Sequence, residues 1–507
     1  MTRLLIKFLG VLGMIAEILA KKISIKFFSM LLVRPKAPID LARGGRVLFI
    51  TYGSPISRLL VEIVGSKLKS RGFSFEMRLP KQILRSYQKK WVGDFEDSTA
   101  SRFDSITQTI DFLVASCGGP YFFKRGVIDE FVRRAPVAVL TGNYSVPKDF
   151  LDMAHKCLEE AREYVAKFDA VVVTSTGYLQ KNTIVATAFE ANIPVWVLSP
   201  FGGWNRIRED STADYLDENP FNQALSLAKK DFSVVEQARQ YFSRRLSGTG
   251  ALDIDARLVY SAQGKMGGAN KRKILFLHAI RDANHLPLKG SQPSEYFSSF
   301  LEWTEFALSE VASAPNDWWI KPHPQSTLFP DEEEIVSAMC VRAGVPLDII
   351  RPDLDTAWVL ENFLPVFTCR GTIALETASL GYRANVATEI YSDVIASVPK
   401  TMEALSGAFQ APIETAATLI PEPRLLDIAK VMLWVRFNLP LSGLVSSRVV
   451  WQTSNRVRNK VDEVAQTIEL ALRYMGPKAH GLADMAAEEL VSSIGQSGRD
   501  RRILPGA

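Results

Sequence analysis

A chain of 507 residues exceeds what one ordinary hydrophobic core accommodates, which points to two domains with appendages. Apolar residues make up 47% and charged residues 23%, the balance of a soluble globular body and not of a disordered or fibrous chain. The net charge of +5 is carried by the first 35 residues, where Arg3, Lys7, Lys21, Lys22, Lys26 and Arg34 stand against Glu17 alone (six minus one), so the body is near neutral and a nucleic-acid partner is not indicated.

Residues 1–35 read as a basic amphipathic helix. Their longest uncharged run inside the charges, 8–16, is too short to span a bilayer. Lysines alternating with Leu, Ile and Phe suit a helix lying on an anionic membrane surface. A helix packed on the protein's own body, or a signal peptide, shares the pattern. The membrane surface ranks first, self-packing second and the signal peptide last.

The next segment, 36–235, reads as the start of a parallel α/β domain. A compact strand at 46–50 leads through Thr51-Tyr52-Gly53-Ser54-Pro55 into a helical pattern at 56–70 and a second strand at 72–77. The turn lacks the three-glycine dinucleotide fingerprint, so no cofactor is expected there. Residues 81–106 read as loop and short helices. Strands are expected at 110–115 and 137–141, an amphipathic helix at 151–168, and further strands at 170–174 and 195–198. The loops at the ends of such strands are where ligand contacts concentrate. Ser54, Asn143, Ser175, Trp204 and Arg206 are therefore candidate acceptor contacts, although each alone reads equally as an ordinary loop residue.

Residues 210–267 are charged and helical in pattern and end in the glycine-rich run 263–270, which makes 236–270 the expected linker. The second domain, 271–400, opens with a strand at 274–277, followed by His278-Ala279-Ile280-Arg281-Asp282. A helix at 294–314 and a strand at 317–320 come next, then Lys321-Pro322-His323-Pro324. A helix at 331–343 has acidic residues in its first turn, as the helix dipole favours. Strands are expected at 347–351 and 366–369. The second runs into Arg370-Gly371-Thr372, with Thr372 as N-cap and Gly381 as the C-terminal glycine of the following helix. A strand at 384–388 follows. Residues 401–475 read as helices, clearest at 424–437 and 461–474, and 476–507 as a weakly packed tail. The four cysteines, 117, 157, 340 and 369, lack metal-knuckle spacing and read as buried thiols.

The chemistry concentrates between Asp317 and Gly381. Amides at the helix start after Gly371 attract a phosphate. Lys321 and His323, ending another strand, can donate to the same anion. Glu376 lies one turn into the helix, and Arg370 stands beside the turn, where it can pair with a donor phosphate or carboxylate. The ordered set, Lys321-Pro322-His323-Pro324 after an aromatic strand and then Gly371-Thr372…Glu376…Gly381, resembles the donor half of bacterial capsule polysaccharide biosynthesis glycosyltransferases, a group that includes Kdo transferases. The likeness covers residues 273–388 well and the amino-terminal half only loosely. His278 and Asp282 resemble the element that precedes the Lys-Pro-His-Pro strand in that family.

The resemblance implies a GT-B fold, two Rossmann-like domains facing a cleft, with carboxyl-terminal helices bracing both. It implies a metal-independent glycosyltransferase without cofactor, acting in the cytoplasm at the inner face of the membrane. Its donor would be CMP-Kdo or another nucleotide sugar, and its acceptor a surface glycan or glycolipid such as lipopolysaccharide. His323 and the turn would hold the nucleotide-sugar phosphate, and Glu376 the ribose hydroxyls. A general base is also needed. Asp282 and His278 on the donor side and Glu209 and Asp210 on the acceptor side are the candidates. A polyol-phosphate transferase, a nucleotide-sugar epimerase and a non-catalytic scaffold in capsule assembly are the alternatives on the same fold.

Overall fold

The computed structural model describes residues 45–51, 55–87, 101–134, 142, 144–174, 176–199, 203–207, 220–230, 232–247, 271–282, 286, 288–289, 296–323, 326, 329, 331–388, 394–416, 418–438, 484 and 486–494. The basic segment 1–35 and the helix expected at 461–474 lie outside them, as does the strand expected at 137–141.

The amino-terminal half is built on strands β1 (Arg46–Ile50) and β2 (Ser74–Arg78), the short ribbon β3 (Ser101–Phe103) and β4 (Tyr144–Val146), then β5 (Ala170–Val173), β6 (Val195–Ser199) and β7 (Gly203–Ile207). The main sheet has the order β2-β1-β5-β6-β7, with the first four parallel and β7 antiparallel to β6. Parallel neighbours require crossovers, and helices supply them. α1 (Pro55–Lys69) joins β1 to β2. Between β2 and β5 come α2 (Ile106–Cys117), α3 (Tyr121–Arg134) and α4 (Lys148–Val165), and α5 (Tyr178–Glu190) joins β5 to β6. Ala170 to Val173 are buried without alternation, as a strand covered on both faces must be.

Two expectations fail here. Residues 110–115 are helix, not strand. Ser105 caps α2 by accepting the Gln108 amide at 3.2 Å, and Ile106, Ile110, Leu113 and Cys117 recur at helical spacing on its buried side. Trp204 and Arg206, read as loop residues after the 195–198 strand, lie instead on a strand, β7.

Helices α6 (Pro220–Lys230) and α7 (Phe232–Leu246) follow, and then the second sheet. Its strands are β8 (Lys273–Phe276), β9 (Trp318–Lys321), β10 (Val366–Thr368) and, after the two-residue β11 (Tyr382–Arg383), β12 (Asn385–Val386). The order is β12-β10-β8-β9, all parallel. α8 (Phe300–Ala312), α9 (Glu332–Ala343) and α10 (Thr372–Leu380) are its crossovers. α11 (Met402–Gln410), the edge strand β13 (Thr418–Leu419, paired with β11) and α12 (Pro423–Asn438) complete this half. Residues 347–349 form a tight 3-10 turn instead of the expected strand, touching the sheet only by an isolated bridge from Ile350 to Ile320. The cap of α10 is Gly371, one residue before Thr372, and Gly381 closes it at φ 103°.

The expected domain limits shift as well. Position 235 falls inside α7, so a linker beginning at 236 would cut a helix. α7 packs on α12, with Arg239 clasping Asp427 through two bonds of 2.9 and 2.7 Å. In the other direction, helical residues 486–494 bury Ala486, Ala487 and Leu490 in one cluster with Val47 and Phe49 of the first sheet and Val61 and Val64 of α1. Lys67 of α1 and Arg71 in the turn after it reach Asp484 at 2.9 and 3.5 Å. The stretch read as a weakly packed tail therefore covers one face of the amino-terminal sheet. All four cysteines are buried, and none forms a disulfide. Among the described residues, which exclude 1–35, no helix is long and apolar enough to cross a membrane.

Candidate functional site

In the second sheet the chain passes from β8 outward to β9 and then returns to the other side of β8 with β10. The strand order thus reverses between β8 and β10, and a crevice opens beyond their carboxyl ends. Register fixes what stands there. Lys321, Phe276 and Thr368 lie abreast on β9, β8 and β10. Two residues further along each chain come His323, His278 and Arg370. Three separate segments therefore deliver their polar groups to one edge of the sheet.

The two imidazoles are nearly coplanar in orientation, with ring centres 5.9 Å apart and planes 12° apart. His278 lies flat on Phe300 at 4.1 Å, which fixes its plane. Its Nε2 accepts the Arg370 amide at 3.3 Å and has the Thr368 hydroxyl at 3.3 Å. An Nε2 that accepts an amide leaves the ring proton on Nδ1. His323 keeps a minor part of its surface at the solvent, yet protein atoms crowd its ring, and that desolvation pushes it down to about 4. It is therefore a neutral donor at neutral pH.

Beside them α10 begins. Gly371 has no side chain to cap it, and no described side chain accepts from the amides of Thr372 or Ile373. Gly371 sits at φ 167° and ψ 163°, extended backbone open to any residue. A Cβ there would meet His278, Ile373 and Thr368 at ordinary distances of 3.6–3.7 Å. Neither conformation nor packing demands glycine, so the missing side chain leaves room at the helix start. A helix start without a side-chain cap, with the His278 imidazole beside it and His323 next to that ring, can hold a phosphate.

Two expected donor ligands are engaged elsewhere. Lys321 is buried, and its ammonium donates to the carbonyl oxygens of Leu354 and, at 3.4 Å, Pro352. Burial pushes it down to about 8, with Asp355 and Asp353 opposing. It stitches the 352–354 turn to the sheet and drops from the list of anion ligands. Glu376 is neither solvated nor turned to a ribose. It is 2% exposed, and Nε and Nη2 of Arg245 on α7 both stand 2.7 Å from its Oε1. A buried carboxylate needs a partner, and α7 supplies it.

Asp282 is half-buried and accepts the Tyr178 hydroxyl at 3.0 Å on Oδ1. Behind its loop, the Ile280 amide donates to Oε1 of Glu332. Glu332 is 1% exposed, its Oε2 has no hydrogen-bond partner, and burial pushes it up to about 7. The acceptor-side candidates are less defined. Ser54, Asn143 and Ser175, with Glu209 and Asp210, lie outside the described residues. Trp204 pairs its backbone with Leu198 on β7, and Arg206 on the same strand is exposed.

Sequence reasoning passed over Tyr178, Thr368, Glu332 and Arg245. Tyr178 carried a signal: it follows Gly177 at the end of a buried strand, the same grammar as Arg370-Gly371. The other three are recognised only through partners 52 residues or more away in the chain. Among the described residues no group of His, Cys, Asp and Glu could hold a metal ion. Comparison with protein-family models finds no match to this chain, and comparison with curated proteins finds none.

Proposed function

We propose that this protein is a metal-independent glycosyltransferase of GT-B type, moving a sugar from a nucleotide-activated donor to a glycan or glycolipid at the inner face of the cytoplasmic membrane. The observation that carries the reading is the convergence of His278, His323 and the side-chain-free start of α10 at the strand reversal of the second sheet. Such a site suits a phosphate that must leave with the nucleotide. Neutral N–H groups and helix amides can take up the charge that develops on it without a metal.

Three further features support the reading. The first sheet has its own reversal, between β1 and β5, and the turn after β5 reaches the turn after β8 through Tyr178 and Asp282. That is the relation two Rossmann-like domains have across a shared cleft. The return of residues 486–494 to the first sheet braces one half with the chain end that follows the other. Asp282 is the candidate base, and Arg370, beside His278, is a candidate partner for a donor phosphate or carboxylate. In this reading the half around β1–β7 takes the acceptor, and residues 1–35 attach the enzyme to the membrane surface.

The test is incubation of the full chain with a panel of nucleotide sugars, CMP-Kdo among them, scored for nucleotide release with and without a lipid-linked glycan. Release that depends on one donor supports the reading. Release from none of them, by a protein that binds no nucleotide, would overturn it.

A further inference from the structure

Tyr178 is a non-glycine residue at φ 58°, in the left-handed region that a bulky side chain adopts only when its surroundings hold it there. Three contacts do so. Its amide donates to Oδ2 of Asp129 at 3.3 Å. The guanidinium of Arg133 covers its ring at 4.5 Å. Its hydroxyl donates to Oδ1 of Asp282 at 3.0 Å. The first two partners belong to α3 in the amino-terminal half, and the third to the loop after β8. Burial, then the Asp282 carboxylate, push the phenol above its ordinary range, so it remains a donor at every working pH.

The Asp282 loop is held from its own side too. Its amide donates to the Ala279 carbonyl at 3.1 Å, and Glu332 accepts the Ile280 amide. Arg281 crosses in the other direction, its Nε donating to the Arg133 carbonyl at 3.2 Å. The charged and titratable groups around Asp282 are Tyr178 from α5, Arg133 and Asp129 from α3, Arg281 on its own loop and Glu332 from α9.

We propose that Tyr178 is a positioning residue: from the amino-terminal half it fixes the orientation of Asp282, so the site is completed only when the two sheet reversals face each other. The strained backbone places the phenol, and the phenol aims the carboxylate. The catalytic use of Asp282 rests on the transferase reading; the coupling of Tyr178 to Asp282 does not.

Tyr178→Phe removes one oxygen and keeps the ring under Arg133. The test is the carboxyl-carbon NMR signal of Asp282 at fixed pH in full-length protein labelled at the aspartate carboxyl carbons, with Asp282→Asn identifying the signal. Loss of the hydroxyl bond should displace that signal, and donor-dependent nucleotide release should fall about tenfold in kcat with KM and melting unchanged. Incorporating 3-fluorotyrosine, a stronger donor, should displace the signal in the opposite direction, which keeps the test open if Tyr178→Phe melts early. An undisplaced signal in both proteins overturns the proposal. A displaced signal with unchanged kcat in an active enzyme overturns the positioning role. A displaced signal in a protein that releases nucleotide from no donor upholds the coupling and counts against the transferase reading alone.

Discussion

The turn from β5 into α5 and the turn from β10 into α10 hold matching places, each at the reversal of its own sheet. They are finished differently. In the first, Gly177 and Tyr178 both take positive φ, and their amides are already bonded, to Oδ1 of Asn182 and Oδ2 of Asp129. The helix behind it touches α3 so closely that a Cβ on Gly126 would stand 2.8 Å from the Asn182 Cβ and 3.0 Å from the Leu179 Cα. In the second, the backbone is extended, the cap has no side chain, and a Cβ on it would meet its neighbours at 3.6–3.7 Å. Side chains hold the amides at the start of α5, whereas no described side chain accepts from those of Thr372 and Ile373 at the start of α10. In the proposed reading, what separates a rigid joint from a ligand site is where the first amides of a helix go, not the presence of a glycine.

The strongest break of this comparison lies at the base of α10. If Glu376 is an anchor, Arg245→Ala leaves a buried carboxylate without its partner and costs about 3–5 kcal/mol of stability. Replacing the pair together, Arg245→Met with Glu376→Leu, should recover most of that loss in chemical denaturation. A Glu376→Gln protein that unfolds normally but loses nucleotide affinity would return Glu376 to the ligands.

His323→Ala comes next. One hydrogen bond to a phosphate carries about 1.5–3 kcal/mol, so affinity for the free nucleotide should drop roughly ten- to a hundredfold, with little change in melting temperature. Lys321→Ala should do the reverse, lowering the melting temperature first, because its ammonium serves two carbonyls. Equal losses of affinity in both would erase the distinction drawn between them.

Gly126→Ala tests the rigid turn. The added methyl meets backbone, which cannot move aside, so a loss of about 1–3 kcal/mol is expected, with nucleotide affinity unchanged in the protein that remains folded. A neutral effect on stability would mean α3 and α5 are not held at that spacing.

The pH dependence sharpens the comparison least but checks two groups at once. His323 lies near 4 when folded, below its unfolded value of about 6.5, so the unfolded chain takes the proton first. Stability on its account is lost as pH falls from about 6.5 towards 4. Glu332 lies near 7, above an unfolded value of about 4.3, so the folded chain holds the proton longer. Its contribution is lost as pH rises from about 4.3 to 7. Glu302, buried at the start of α8 and also raised to about 7, has the same sign. Glu332→Gln should therefore flatten part of the decline towards neutral pH, and His323→Ala part of the decline towards pH 4, in melting curves taken across the range.

The α/β class, the parallel alternation and the strands at β1, β5, β6, β8, β9 and β10 were legible because each is a short apolar run bounded by turn residues. Residues 110–115 misled because Ile110, Phe112 and Val114 are β-formers, and the helical period they share with Leu113 appears only over the longer window opened by Ser105. The domain limits misled because composition changes at the glycine-rich run 263–270, whereas packing assigns α6 and α7 to the second half through contacts with α12. His278, His323 and Gly371 were legible as a set, since each stands where a buried strand ends. Lys321 and Glu376 were not. Their types suit a phosphate and a ribose, but each was claimed by a long-range partner that no local pattern announces.

Gly371→Ala tests the account most directly. Its methyl fits the space beside His278 and Thr368 without strain, so the protein should melt as the wild type does. The same methyl would occupy the space proposed for the phosphate. Titration of CMP, and in parallel of UDP, should give saturable binding to the wild-type protein and at least about tenfold weaker binding to Gly371→Ala for the nucleotide that binds. Equal affinities, in proteins of equal melting temperature, would contradict a phosphate site at the start of α10.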